Sequence, residues 1–189
     1  MHRTGSPSLG FALFPTPLGP CGLAWSQRAI TGCQLPEATP TLTLQRMEER
    51  FPGLGAVSAP PWVQVVMADV AGLLAGDADA HARLGTVELD MSFAPPFHRE
   101  VWEAARHIPM GETLSYGELA ALLGQPGAAR AVGQALGANP FAPIVPCHRV
   151  LAKGQSAGGF SAPGGVDTKL RMLQVEHARF GAPGLFDAL

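Results

Sequence analysis

Ser115-Tyr116-Gly117-Glu118 constrains this chain more than any other stretch. It is a capping box, in which the serine side chain serves a backbone N–H three residues on and the glutamate reaches back to the cap. The apolar run Leu119 to Leu123 follows, and Gly124 stops it. Gly127 to Gly137 then predicts a second helix built almost wholly of Ala, Gly, Val and Leu, with Pro126 in its first turn and Arg130 as its one charge. Two short helices joined by a tight glycine-containing turn make the helix-turn-helix pattern. A helix that reads the major groove normally offers Arg, Asn or Gln to base edges. This one offers small side chains and one arginine, which suits close approach to a minor groove without base readout. Small residues equally suit two helices packed tightly in a core, and the pattern alone leaves both readings open.

The second constraint is Ile144-Val145-Pro146-Cys147-His148-Arg149-Val150. The thiolate is the nucleophilic form of cysteine, and positive neighbours favour it. Here a histidine and an arginine follow the cysteine directly. The apolar flanks predict a short buried strand that hands Cys147 to the floor of a pocket. The other reading is a small buried hydrophobe, the commonest role of a free cysteine. The setting favours reactivity: Asn139-Pro140 lies upstream, Gly158-Gly159-Phe160-Ser161 downstream, and no acid occurs between Leu119 and Val166. That acid-free window is a local positive field for an anionic partner, although 13 Lys and Arg against 15 Asp and Glu give the whole chain a net charge of −2.

The rest of the chain reads as two parts. In residues 1–91 we expect a small α+β domain. It has short strands at Phe11–Phe14 and Gly22–Trp25, a helix ending before Phe51-Pro52-Gly53, a second over Trp62–Leu74 stopped by Gly76, and a closing strand at Val87–Met91. Residues 92–189 begin at the break Pro95-Pro96. A helix with Phe97, Val101, Trp102, Ala105 and Ile108 on one face follows. After a Gly/Ser/Pro-rich loop from Lys153 to Gly165, Asp167 is expected to cap a last helix running to about Phe180. Glu176 near that helix's C-terminus opposes the helix dipole, which suggests a purpose such as holding a histidine. At 189 residues with 47% hydrophobic content, core material is ample. Three widely spaced cysteines, Cys21, Cys33 and Cys147, argue against a disulfide framework and for a reducing compartment. No signal-like start and no membrane-length apolar run is seen, so the expectation is cytoplasmic. No close Cys or His pair suggests zinc, His2, His81, Cys21 and Cys33 included.

In order, Phe97-x-x-x-Val101-Trp102, Ile108-Pro109-x-Gly111-Glu112-Thr113-x-Ser115-Tyr116-Gly117, Ala129-Arg130-Ala131-Val132-Gly133, Asn139-Pro140, Pro146-Cys147-His148-Arg149-Val150 and Gly158-Gly159-Phe160-Ser161 closely resemble the O6-alkylguanine-DNA alkyltransferases, the methylated-DNA–protein-cysteine methyltransferases. The resemblance spans about Phe93 to Glu176. It implies an α/β two-part protein whose mainly helical, winged helix-turn-helix-like C-terminal domain carries the active-site cysteine. By the resemblance, Cys147 accepts the alkyl group irreversibly from O6 of guanine, and from O4 of thymine, in one turnover. His148 acts as base through a water, Glu176 orients it, and Asn139 braces the turn. Tyr116 hydrogen-bonds the departing guanine, Arg130 fills the gap left in the duplex, and Val150, Phe160 and Ser161 contact the flipped base. The implied partner is double-stranded DNA bound through its minor groove by a monomer, with no cofactor and no metal. His98 stands where Gln is common in the family, and Phe160 where many members have Tyr. A relative class that flags lesions without transferring replaces the cysteine, typically by Trp, and Cys147 argues against that reading.

Overall fold

The computed structural model describes residues 9–154 and 158–179. The N-terminal half opens with an antiparallel three-stranded sheet in the order β1 (Gly10–Phe14), β2 (Cys21–Trp25), β3 (Ile30–Gln34). Leu23 lies opposite both Ala12 and Cys33, so the middle strand is covered on both edges. Helix α1 (Pro40–Arg50) starts on Thr39, whose side chain accepts from Leu42 N, and packs Met47 against the sheet. Helix α2 (Pro61–Leu74) lays Val63, Val66, Val70 and Leu73 inward, as its spacing requires. The short α3 (Ala78–Leu84) follows, begun by Asp77. The sequence reading did not anticipate it, because seven residues give too little periodicity to see.

Val87–Met91 does not form the expected strand. Only Leu89 makes a single parallel bridge to Ile30, and the segment is held instead by Ile30 N–H to Glu88 O and Asp90 N–H to Ile30 O. It passes the sheet edge once and leaves toward the next helix.

The C-terminal half runs α4 (Pro96–Arg106), β4 (Leu114–Ser115), α5 (Tyr116–Leu122), α6 (Ala129–Gly137), a 3-10 turn (Cys147–Arg149), β5 (Val150–Leu151) and α7 (Gly165–Val175). The capping box forms with both of its bonds. β4 and β5 pair in parallel beside it. α6 begins at Ala129, so Pro126 lies in the inter-helix turn rather than in the helix. Gly164, in the left-handed region, caps α7, and Asp167 sits in its first turn, where a carboxylate favours the dipole. α7 ends at Val175; the expected end at Phe180 lies outside the described residues.

One contiguous set of buried side chains runs from Leu23 and Trp25 through Val101, Trp102 and Phe141 to Cys147, so the halves on either side of residue 92 share a core. Trp102 is its hub. Its ring meets Phe141 edge-on at 5.9 Å, and its indole N–H donates to Ala135 O at 2.8 Å, which ties α4 to α6. Arg106, at the end of α4, fans into the carbonyls of Leu84, Gly85 and Val87 and secures the crossing between the halves.

Candidate active site

Cys147 does not lie on a strand. It opens the 3-10 turn, with its N–H donating to Val145 O at 2.8 Å and its carbonyl accepting from Val150 N–H. The apolar run before it is buried because the looped chain lays Ile144 and Val145 into the core, not because it pairs in a sheet. Asn139 holds that loop. Its Nδ2 donates to Val145 O at 2.9 Å and its Oδ1 accepts from Phe141 N–H at 2.9 Å. The peptide Ala142–Pro143 within the loop is cis. Burial pushes the Cys147 thiol up, while a hydrogen bond from the Asn139 side chain and the charge of Lys169 pull against it.

His148 is wholly buried, and its Nε2 meets Glu176 Oε1 at 2.8 Å. Burial lowers the imidazole below its usual range against the pull of Glu176, so the ring is neutral near pH 7. A neutral ring beside a carboxylate carries its proton on the nitrogen facing that carboxylate, which leaves the Nδ1 lone pair as the basic site. Nδ1 has no hydrogen-bond partner among the described residues. Arg149 grips the same carboxylate at two points, Nε to Oε2 at 2.9 Å and Nη2 to Oε1 at 2.8 Å. Burial alone raises the Glu176 carboxyl, but the hydrogen bonds and charges of His148 and Arg149 outweigh it and hold it at about 2. Arg149 is fixed in turn by Ile108 O at 2.6 Å and by the His81 ring, whose two nitrogens both lie 3.3 Å from Nη1.

The turn between α4 and β4 shapes this corner. Gly111 has φ +82, and a Cβ there would come within 3.1 Å of Glu176 O. Glycine meets both demands: the left-handed backbone and the close approach of the chain that carries the carboxylate.

A cavity of about 340 Å3 lies in front of Cys147, walled by Tyr116, Gly133, Leu136, Gly159, Phe160 and Ser161. The small residues of α6 thus serve the cavity as well as the packing. Tyr116 opens α5, and burial together with the nearby Cys147 raises its hydroxyl. Ser161 Oγ donates to Gly137 O at 3.3 Å. Val150 gives its N–H to Cys147 O and its carbonyl to Lys169 Nζ at 2.7 Å. Arg130 is exposed near the start of α6, away from the buried cluster. A second cavity of about 490 Å3 also touches Cys147 and reaches β3 and α1, with Arg50 on its wall.

Lys169 is the residue that sequence reasoning missed. It is wholly buried on α7, its ammonium lies 5.9 Å from the centre of the Phe160 ring, and burial pushes it down to about 8 despite the pull of Cys147. The available signal was its seven-residue spacing from Glu176 on one helix face, which the sequence does not connect to Cys147.

Fold and site together define a two-part helix-turn-helix protein in which a buried cysteine faces a base-sized cavity and an adjacent histidine is held by a carboxylate. A family profile described as "6-O-methylguanine DNA methyltransferase, DNA binding domain" matches residues 96–178. The crystal structure of Mycobacterium tuberculosis OGT in complex with DNA superposes with a TM-score of 0.69 at 32% identity, covering 92% of this chain and 96% of that one. A crystal structure of M. tuberculosis O6-methylguanine methyltransferase gives 0.66 at 34%, covering 92% and 96%. In sequence, the methylated-DNA–protein-cysteine methyltransferase of Salmonella typhimurium is 54% identical over 81 residues, 43% of this chain and 46% of that protein. The M. tuberculosis one is 49% identical over 102 residues, 53% and 60%. The chain thus spans about half the length of the curated relatives it matches. It belongs to the O6-methylguanine-DNA methyltransferase family.

Proposed function

We propose that this protein repairs DNA by moving a methyl or other alkyl group from O6 of guanine, and from O4 of thymine, to Cys147, once per molecule. The observation that carries this reading is Cys147 on the wall of a cavity large enough for a base, with Asn139 bracing its turn and the adjacent His148 held by Glu176. A base inside a duplex cannot reach a buried sulfur, so it must be extruded into such a cavity. Arg130, exposed near the start of α6, fills the space the base leaves, and the small side chains of α6 let the backbone approach a minor groove. Residues 92–189 perform these steps, and residues 1–91 support them.

A free thiol is only a few per cent thiolate at neutral pH, so it needs a base. His148 accepts the Cys147 proton at Nδ1 through a bridging water, and Glu176 stabilises the imidazolium at Nε2. The sulfur attacks the alkyl carbon, the carbon–O6 bond breaks, and its electron pair leaves on guanine. The Tyr116 hydroxyl donates to the ring as negative charge develops there. Val150, Phe160 and Ser161 position the flipped base. The product thioether has no leaving group of comparable quality, so Cys147 is not regenerated. The protein acts as a monomer in the cytoplasm, where a reducing medium keeps the acceptor thiol usable. All three cysteines are free in the structure. No described helix is long and apolar enough to cross a membrane.

Intact mass after mixing with a duplex carrying O6-methylguanine tests the proposal. One methyl gained, mapped to Cys147 and absent in Cys147→Ala, supports it. Lesion binding without mass gain sinks it in favour of a protein that only flags damage.

A further inference from the structure

The turn that carries the nucleophile is gripped from outside by the N-terminal half. β3 is an edge strand, and Cys33 turns its N–H away from β2 to donate to Pro140 O at 2.8 Å. Arg50, in the last turn of α1, reaches the same carbonyl with Nη2 at 3.0 Å. Its Nη1 is anchored on Cys33 O at 2.8 Å and on Gln34 Oε1 at 2.9 Å. The guanidinium is therefore fixed by three acceptors, with one arm aimed at a single peptide group.

That peptide group leads to the sulfur. The N–H partnered with the Pro140 carbonyl is that of Phe141, which donates to Asn139 Oδ1 at 2.9 Å. The Asn139 amide passes on from its other end, giving Nδ2 to Val145 O at 2.9 Å, the carbonyl that also accepts the Cys147 N–H at 2.8 Å. Two amides thus lie in series between a cation and the turn that carries the nucleophile. A donor on an amide oxygen polarises the group and strengthens the bond its own N–H gives. Arg50 also shares a cavity wall with Cys147.

We propose that Arg50 is a positioning residue for Cys147, acting through the Pro140–Phe141 peptide and the Asn139 amide to hold and polarise the turn that presents the sulfur. This rests on Cys147 being the alkyl acceptor. The other groups facing Cys147 are Lys169, His148 and Tyr116. The groups around Arg50 are paired locally, Arg46 with Glu49 and Glu37 with Gln34, so the path through Pro140 is the direct one.

The test uses the full chain as wild type, R50M and R50K. The rate of Cys147 alkylation by iodoacetamide is followed against pH and located by peptide mapping, which requires no DNA; methyl transfer from an O6-methylguanine duplex is measured in parallel. R50M is expected to slow alkylation at pH 7 by about threefold to tenfold and to move the profile to higher pH, with transfer falling by a similar factor. R50K, an ammonium that cannot meet three acceptors at once, gives a smaller shift in the same direction. If R50M does not fold, R50K alone decides. A wild-type pH profile in the folded variants overturns the proposal, even where their melting temperatures fall. A shifted profile in a protein that transfers no methyl group overturns the repair reading and confines Arg50 to tuning the reactivity of the Cys147 thiol.

Discussion

Glu176 takes His148 Nε2 at 2.8 Å on the same oxygen that accepts Arg149 Nη2 at 2.8 Å. The carboxylate therefore does two jobs: it fixes the imidazole tautomer and neutralises a buried guanidinium. Glu176→Gln keeps the shape and removes the charge. It is expected to cut the transfer rate by about a hundredfold through loss of the oriented base. It also leaves Arg149 buried without its counter-charge, at about 3 kcal/mol in stability. Single-turnover transfer and urea unfolding measure the two effects separately.

The same pair sets the acid limit of the fold. The Glu176 carboxyl sits near 4.5 in an unfolded chain and at about 2 in the folded one. A depressed carboxyl stabilises the fold above its unfolded value, and that contribution is lost as pH falls from about 5 toward 2. Unfolding free energy measured across this window is expected to drop by about 3 kcal/mol in the wild type. Glu176→Gln, which has no proton to take up, shows a flatter curve.

Lys169 predicts a trade between stability and rate. Its ammonium is pushed from 10.5 down to about 8 by burial. The charged form is therefore disfavoured in the fold; the penalty is fully present below about pH 8 and fades as pH rises through about 10.5. It amounts to about 3 kcal/mol, against about 1.5 to 3 kcal/mol for the charge-assisted bond to Val150 O. Lys169→Met is thus expected to melt higher at pH 7 than the wild type. The same change removes a positive charge that favours the Cys147 thiolate, so iodoacetamide alkylation of Cys147 slows and its pH profile moves upward. A variant that melts lower, or that keeps the wild-type profile, contradicts this account of the site.

What the sequence made legible was local. The capping box at Ser115 and the apolar face of α4 rest on contacts three or four residues apart, and both form. Glu176 was legible for another reason: an acid at a helix C-terminus opposes the dipole, so its presence implied a partner, and His148 and Arg149 are there. The Cys147 turn was misread because burial and strand pairing leave the same apolar mark in a sequence. Asn139, bonding Phe141 and Val145, and the turn's own backbone bonds make the difference. The roles of Lys169 and Arg50 were not legible because their partners lie on other elements, and Lys169 reads like any surface cation until the fold closes over it.

Gly111 links the fold to the catalytic corner. Gly111→Ala puts an L-residue at φ +82 with its Cβ 3.1 Å from Glu176 O. The left-handed backbone costs about 1 to 2 kcal/mol, and relief of the contact displaces the chain that carries the carboxylate. The expected result is a lower melting temperature together with slower transfer at unchanged DNA affinity, read by calorimetry, single-turnover kinetics and a binding titration.

Arg130 separates DNA handling from chemistry. It is exposed near the start of α6 and lies apart from the hydrogen bonds around Cys147. Arg130→Ala is expected to leave stability within about 0.5 kcal/mol of wild type. On a duplex, extruding the base costs a few kcal/mol that an inserted side chain offsets, so transfer slows by about tenfold or more when that side chain is gone. On a single-stranded oligonucleotide with the same O6-methylguanine there is no stack to open, and the variant keeps near wild-type rates. Equal losses on both substrates would place Arg130 in general phosphate binding, where each lost cation weakens attachment irrespective of strandedness. The ratio of the two rate constants therefore reports directly on whether α6 enters the space of an extruded base.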